Sequence, residues 1–263
     1  MTTKWIIVIC EGAHDIAFLE RLLKINGFKK YKQILNKFPE PFKSWFLELV
    51  KSLPLENRKL GYQKPHVNLP VSAWENEEAM IFFHNATGDS HDKEVKDLLN
   101  LYQKLPLLDE DGFPHDNNLN YRFLIFQDAD EKGIKERCTH LSNELECVIN
   151  QAELTLKNNH EIGGYIFHNS QSKKGTLEDL LLELINLNEL AEQELIMCEE
   201  YLKTHQVSEN RKQKFNFNKS LISILGQLQI SGVSNAVIIE KIDSLQDDKL
   251  KDNLECQKIM KLF

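Results

Sequence analysis

Residues 123–133 read FLIFQDADEKG. Four apolar or aromatic residues run straight into two aspartates separated by one alanine, and a glycine follows three positions later. A short unbroken apolar run closed by turn residues predicts a buried strand. Side chains on a strand alternate faces, so Asp128 and Asp130 are expected to point the same way. Two anions that close repel each other unless a cation sits between them or one takes up a proton.

The same pattern of apolar run and polar exit recurs on either side. KWIIVICEG (4–12) is an apolar run ended by glycine, and EAMIFFHNATGD (78–89) and GGYIFHNS (163–170) are two more strands. Helical spacing follows the first strand at Ile16, Leu19, Leu22 and Leu23, with Gly27 as the stop. A second helix is expected over 91–104, and a third carries Ile134, Cys138, Leu141, Leu145 and Val148 on one face. GTLEDLLLELI (175–185) opens a fourth. Strand and helix thus alternate four times between residues 4 and 185, which predicts an α/β domain: a mainly parallel four-stranded sheet flanked by helices. Residues 29–76, with five prolines, several lysines and aromatics expected to be exposed, read as an insertion, and 109–118 as an acidic surface loop. Residues 186–263 read as a helical extension, with NAVIIEKI (235–242) ambiguous between strand and helix.

Composition narrows the class. No apolar run approaches the ~18 residues of a membrane span, and the first strand reads as core rather than as a signal peptide, so a cytoplasmic protein is expected. The five cysteines are widely spaced and form no CxxC or zinc pattern, as expected of reduced, mostly buried thiols. A net charge of −8 argues against coating nucleic acid by bulk electrostatics. It leaves room for a nucleic-acid enzyme in which a divalent metal supplies positive charge locally. Phosphate-loop, GxSxG and HExxH motifs are absent from the sequence.

In parallel sheets the ligand site lies beyond the carboxyl ends of the strands. There the sequence places Glu11 after the first strand, Asp128 and Asp130 at the third, and Glu178 just past the fourth. Each has a structural alternative. A lone DxD is more often a helix-capping turn. Asp15 can serve the positive end of its helix. Thr176 with Asp179 resembles a capping box, which makes Glu178 a first-turn acid, and Lys173 and Lys174 an ordinary solvated pair. Glu11 directly follows five apolar residues, where an unpartnered carboxylate is costly. Carboxylates at three strand exits of one sheet are better explained by a shared role.

These residues resemble the toprim domain: a strand ending in Glu-Gly with an acid shortly after (IVICEGAHD), then a strand ending in DxD with a following glycine (LIFQDADEKG). That Rossmann-like fold is shared by topoisomerases, bacterial primases, small ribonucleases of rRNA maturation and the overcoming-lysogenization-defect (OLD) nucleases. GTLEDLLLE looks most like the OLD-type branch, in which a Leu-Glu pair supplies a further metal carboxylate and a nearby lysine assists. The resemblance covers about residues 4–185, a catalytic domain over 1–185 with its insertion at 29–76. Two features depart from the pattern: His14 stands where a small or polar residue is usual, and the ATPase module of OLD-type chains is missing.

The resemblance implies a Mg²⁺- or Mn²⁺-dependent nuclease acting on DNA or RNA. Glu11, Asp128, Asp130 and Glu178 would form the cage, with Asp15 as a further ligand or supporting acid. Hard oxygen donors favour those ions over zinc. Lys174 or Lys173 would steady charge on the phosphate in flight, leaving Glu11, Asp128 and Lys174 as the catalytic set. A separate ATPase partner, a homodimer and a setting in anti-phage defence are further implications. The alternative is a toprim-like module that binds nucleic acid or an ATPase partner without chemistry. The basic stretches 29–37 and 211–219 mix Lys or Arg with aromatics and suit either a phosphate track or plain charged helical surface.

Overall fold

The computed structural model describes residues 4–51, 68–86, 91–105, 107–108, 114–115, 119–205, 207–212 and 215–263. Most of the acidic loop at 109–118 and the middle of the 29–76 region lie outside the described residues.

Four strands run parallel. β1 (Lys4–Cys10) is flanked by β4 (Ala79–Asn85) and β7 (Tyr121–Asp128), and β7 by β9 (His160–Phe167). The expected parallel core is present, but the sheet has seven strands, not four. β3 (Ser72–Glu75) pairs antiparallel with β4, β2 (Lys29–Lys30) with β3, and β8 (Leu154–Lys157) with β9, giving the order β2-β3-β4-β1-β7-β9-β8. The added strands are short and line the edges, where an apolar run is not needed. β8 and β9 are joined through Asn158 and Asn159, both with positive φ (51° and 65°), the conformation that tight hairpin turns require and asparagine tolerates. A separate ribbon pairs β5 (Leu107–Leu108) with β6 (Pro114–His115).

Alternation along β1 sends Ile6, Val8 and Cys10 to one face of the sheet and Ile7 and Ile9 to the other, and all five are fully buried. The first face is covered by α1 (Ala13–Ile25) and α5 (Leu177–Ile185), the second by α3 (His91–Gln103) and α4 (Ile134–Leu145). The second face also takes α2 (Phe42–Lys51). Phe38, Phe42, Trp45 and Phe46 are buried there, so this part of the 29–76 region is core and its aromatics are not a surface feature. Val148 falls beyond α4, which stops at a left-handed Glu146 (φ 51°), and is exposed.

From residue 186 on, the described residues form helices: α6 (Glu189–Thr204), α7 (Glu209–Lys212), α8 (Phe217–Gln229), α9 (Asn235–Lys241), α10 (Asp247–Asp252) and α11 (Leu254–Met260). The ambiguous run at 235–242 is therefore α9. Leu195, Leu221, Leu225, Ile238, Ile239, Leu250 and Ile259 share one continuous core with Phe18, Leu19 and Leu22 of α1. Arg21 pins this packing. Its buried guanidinium donates to the carbonyls of Ile239 (3.2 Å), Ile242 (3.0 Å) and Leu245, and to Asp247 Oδ1 (3.0 Å). The five cysteines are free thiols, four of them buried. Among the described residues no helix is long and apolar enough to cross a membrane.

Candidate active site

β1 lies between β4 and β7, and its connection leaves toward β4, whereas that of β7 leaves toward β9. The crevice beyond the carboxyl ends of β1 and β7 is therefore the switch point at which open α/β sheets bind ligands. A cavity of about 530 Å³ opens there, lined by Glu11, Asp15, Asp128, Glu178, His14 and Lys219 with Gly12 and Ala13.

Backbone N–H groups place the acids. Glu11 Oε2 accepts from Asp128 N (2.9 Å), Asp128 Oδ1 from Leu177 N (2.8 Å), and Asp15 Oδ2 from Gly12 N (2.9 Å). The first bond joins the exits of β1 and β7, the second joins the exit of β7 to the start of α5 after β9, and the third joins the exit of β1 to its own helix α1. The second oxygens, Glu11 Oε1, Asp128 Oδ2 and Asp15 Oδ1, have no hydrogen-bond partner among the described residues. Glu178 is buried and more fully bonded. Oε1 meets His14 Nδ1 (3.0 Å) and lies 3.8 Å from Lys219 Nζ, and Oε2 accepts from Thr176 Oγ1 (2.9 Å).

The electrostatics set Asp15 and Asp128 apart from Glu178. Burial, reinforced by the charges of Asp128 and Glu11, raises Asp15 well above the usual carboxylate range. Burial together with Glu11, Glu178 and Asp130 lifts Asp128 to about 7, against the pull of the Leu177 N–H. Burial also pushes Glu178 up, but His14, Lys219 and Thr176 outweigh it and hold this acid below its ordinary value. Asp15 and Asp128 thus favour a proton, or a cation in its place, while Glu178 is already compensated.

Asp130 and Lys174 stand elsewhere. The strand ends at Asp128, Ala129 is buried, and Asp130 turns into a left-handed conformation (φ 47°). The expected side-by-side pair is therefore not formed, and the Asp130 carboxylate pairs with Arg137. Its backbone forms an antiparallel bridge to Gly175, with N–H···O distances of 2.7 and 2.9 Å. Gly175 has φ +98°, and a Cβ there would strike the Asp179 carboxylate. That bridge sets the loop that delivers Leu177 N–H and Glu178 to the cavity. Lys174 lies 3.9 Å from Glu131 and, with Asp130, lines a neighbouring depression. Lys173 occupies a left-handed turn (φ 59°). The capping box is also real: Asp179 Oδ2 accepts from Thr176 N (2.7 Å). Asp179 and Glu178 divide the two roles that the sequence left open, one capping the helix and the other lining the cavity.

The family described as "Protein of unknown function (DUF3226)" matches this chain over residues 6–251. The chain belongs to that family. The DUF3226 chain is also similar to a solved structure, "Crystal structure of hypothetical protein PH0156 from Pyrococcus horikoshii OT3". The two share 17% identity and a TM-score of 0.57, with 99% of each chain covered. At that identity the likeness extends to the fold. No curated protein matches the chain.

Two residues of the DUF3226 cavity went unassigned as site residues in the sequence: His14 and Lys219. His14 was visible as a departure from the pattern at a strand exit. Lys219 closes the basic, aromatic stretch 211–219 and reaches the acids because α8 packs beside α5, where Asn218 Nδ2 donates to Asp179 Oδ1 (3.0 Å). His84 and His168 are internal: His84 Nε2 meets the Tyr102 hydroxyl (2.7 Å), and His168 Nδ1 meets the Ile166 carbonyl (2.8 Å).

The donors lining the cavity are four carboxylates and one imidazole, His14, and the carboxylate majority fits a hard divalent ion such as Mg²⁺ or Mn²⁺. The raised Asp15 and Asp128 are groups that such an ion would relieve. Among the described residues no three His, Cys, Asp or Glu side chains already form a ready-made cage, so the side chains would draw inward on binding.

Proposed function

We propose that this cavity is a toprim-type phosphodiesterase site and that the protein hydrolyses DNA or RNA with Mg²⁺ or Mn²⁺. The observation that carries the reading is the convergence of Glu11, Asp15, Asp128 and Glu178 from three strand exits onto one cavity at the switch point. Three of these buried or half-buried acids, Glu11, Asp15 and Asp128, keep a free second oxygen, which is costly unless something cationic joins them.

Glu11, Asp15 and Asp128 would hold the ion through those second oxygens, with Glu178 closing the set. Such an ion, when bound, neutralises phosphate charge and acts as a Lewis acid. The protein's own groups do the rest. Lys219 is the lysine lining the cavity among the described residues, and it faces the charge that builds on the phosphoryl oxygens. Glu178 accepts at His14 Nδ1, which requires the hydrogen on that nitrogen, and in the neutral ring Nε2 is then the acceptor. His14 is thus set to take a proton from the attacking water, whose oxygen forms the new P–O bond as the bond to the leaving nucleoside oxygen breaks. Asp130 acts through its backbone, holding the Gly175 loop in place.

The test is cleavage of labelled single- and double-stranded DNA and RNA with Mg²⁺ or Mn²⁺, using wild type and Glu11→Gln. Metal-dependent cleavage abolished by Glu11→Gln is expected. If wild type cuts no substrate in either metal while binding nucleic acid in Ca²⁺, the site is a binding module.

A further inference from the structure

Beside the acid cavity, across the first turn of α8, lies a second groove of about 510 Å³ walled by Tyr201, His205, Phe215 and Ile224. Lys219 lines both spaces, so the groove and the acid cavity adjoin at that side chain. Its edge is polar, carrying Asn216, Ser220, Ser223 and Asn235. Tyr201 is 61% exposed and Phe215 37%. The Tyr201 ring lies nearly parallel to His205, with centroids 6.2 Å apart and planes at 24°. Large exposed aromatics on a polar surface commonly mark a binding site.

We propose that this groove receives a nucleobase next to the scissile phosphate, so that the preferred substrate is a single-stranded or locally unpaired nucleic acid. The inference rests on the phosphodiesterase reading, because it places that phosphate at the acid cavity. A ligand filling both spaces carries an anionic group at Lys219 and a flat, partly apolar group with hydrogen-bonding edges beside it. A nucleotide has this combination. The π-face of any base stacks on tyrosine or phenylalanine without regard to sequence. In a duplex those faces are covered by neighbouring bases, so the groove is served by strands whose bases are free. The groove also gives the basic, aromatic stretch 211–219 a specific role: Phe215 faces the base and Lys219 the phosphate.

The experiment uses the full chain in Ca²⁺ and oligonucleotides carrying 2-aminopurine, whose fluorescence falls on stacking. Wild type is expected to quench the single-stranded probe and to bind it more tightly than the same sequence in a duplex. Combining Tyr201→Ala with Phe215→Ala is expected to remove the quench and weaken binding by about tenfold or more. Tyr201→Phe keeps the stacking face and should retain both properties, as should Leu228→Ala on the exposed far part of α8. Equal binding of duplex and single strand, or a double variant that binds and quenches like wild type, overturns the groove. Parallel cleavage assays in Mn²⁺ separate this inference from the one beneath it. Cleavage with an unchanged KM in the double variant overturns the groove and leaves the nuclease reading standing. Quenching lost in the double variant, with no cleavage in any metal, supports a base-binding groove and removes the nuclease. No binding of any probe overturns both.

Discussion

The carboxylate of Glu11 takes the backbone N–H of Asp128, with Oε2 2.9 Å from the nitrogen. One bond thereby ties the exit of β1 to the exit of β7 and fixes two acids relative to each other at the centre of the sheet. A side chain held this way has little conformational freedom left to lose on binding a ligand. It also means that Glu11 serves the fold and the site at once, so substitutions there need an isosteric choice.

Mn²⁺ or Mg²⁺ is expected to raise the melting temperature of wild type. A ligand at about 100 times its Kd adds roughly 2.7 kcal/mol, which for a chain of this size is on the order of 5–10 °C. Combining Asp15→Asn with Asp128→Asn should abolish the shift while keeping the shape of the site. The measurement is differential scanning calorimetry with and without millimolar metal. A shift that survives in the double variant places the ion elsewhere.

Without metal, Asp15 and Asp128 should make stability fall as pH rises. Asp128 is lifted to about 7 in the fold, by burial first and then by neighbouring acids. In the unfolded chain it ionises near 4. Between those values the native state holds the extra proton, so stability decreases from about pH 4 and levels off above about 7. Asp15, raised by burial, acts in the same direction. The urea midpoint of Asp128→Asn in EDTA should therefore fall less between pH 5 and 8 than that of wild type. Parallel pH profiles for the two proteins would show that Asp128 ionises normally.

The parallel core was legible because it is made of unbroken apolar runs, and its polar exits marked Glu11, Asp128 and Glu178 directly. Asp130 was misplaced by extending strand alternation past its end. Nothing in the letters DAD says that Ala129 turns inward and Asp130 adopts a positive φ. The edge strands escaped because β2 is only two lysines and β8 is short and half-polar, although the Asn-Asn turn in KNNH is the kind of pair that closes a hairpin. Lys219 was beyond reach because its position depends on how α8 docks against α5. That docking follows from an apolar stripe which specifies burial but not a partner.

Arg21→Met tests whether the C-terminal helices belong to the same cooperative unit as the sheet. The guanidinium satisfies carbonyls of Ile239, Ile242 and Leu245 inside the shared core. Its removal leaves buried acceptors unpaired, at about 1–3 kcal/mol each. A loss of roughly 3 kcal/mol in a single unfolding transition is expected by chemical denaturation. Two separated transitions, with the earlier one alone shifted, would show that residues 186–263 unfold independently.

The two lysines can be set against each other. Lys219 Nζ lies 3.8 Å from Glu178 in the acid cavity, whereas Lys174 lies 3.9 Å from the fully exposed Glu131 in the depression next door. A cation that meets charge developing on the phosphate contributes mainly to the transition state, so its loss lowers kcat more than it weakens binding. Lys219→Ala should slow cleavage by about a hundredfold or more, with single-strand affinity in Ca²⁺ changed several-fold at most. Lys174→Ala should stay within about threefold of wild type in both measurements. Because Lys219 also helps hold Glu178 ionised, Lys219→Arg is the companion variant. It keeps the charge, and substantial recovery of rate is expected. If Lys174→Ala is the slow variant and Lys219→Ala cuts normally, the loop carrying Lys174 closes over the acids during catalysis, and the assignment of Lys219 is wrong.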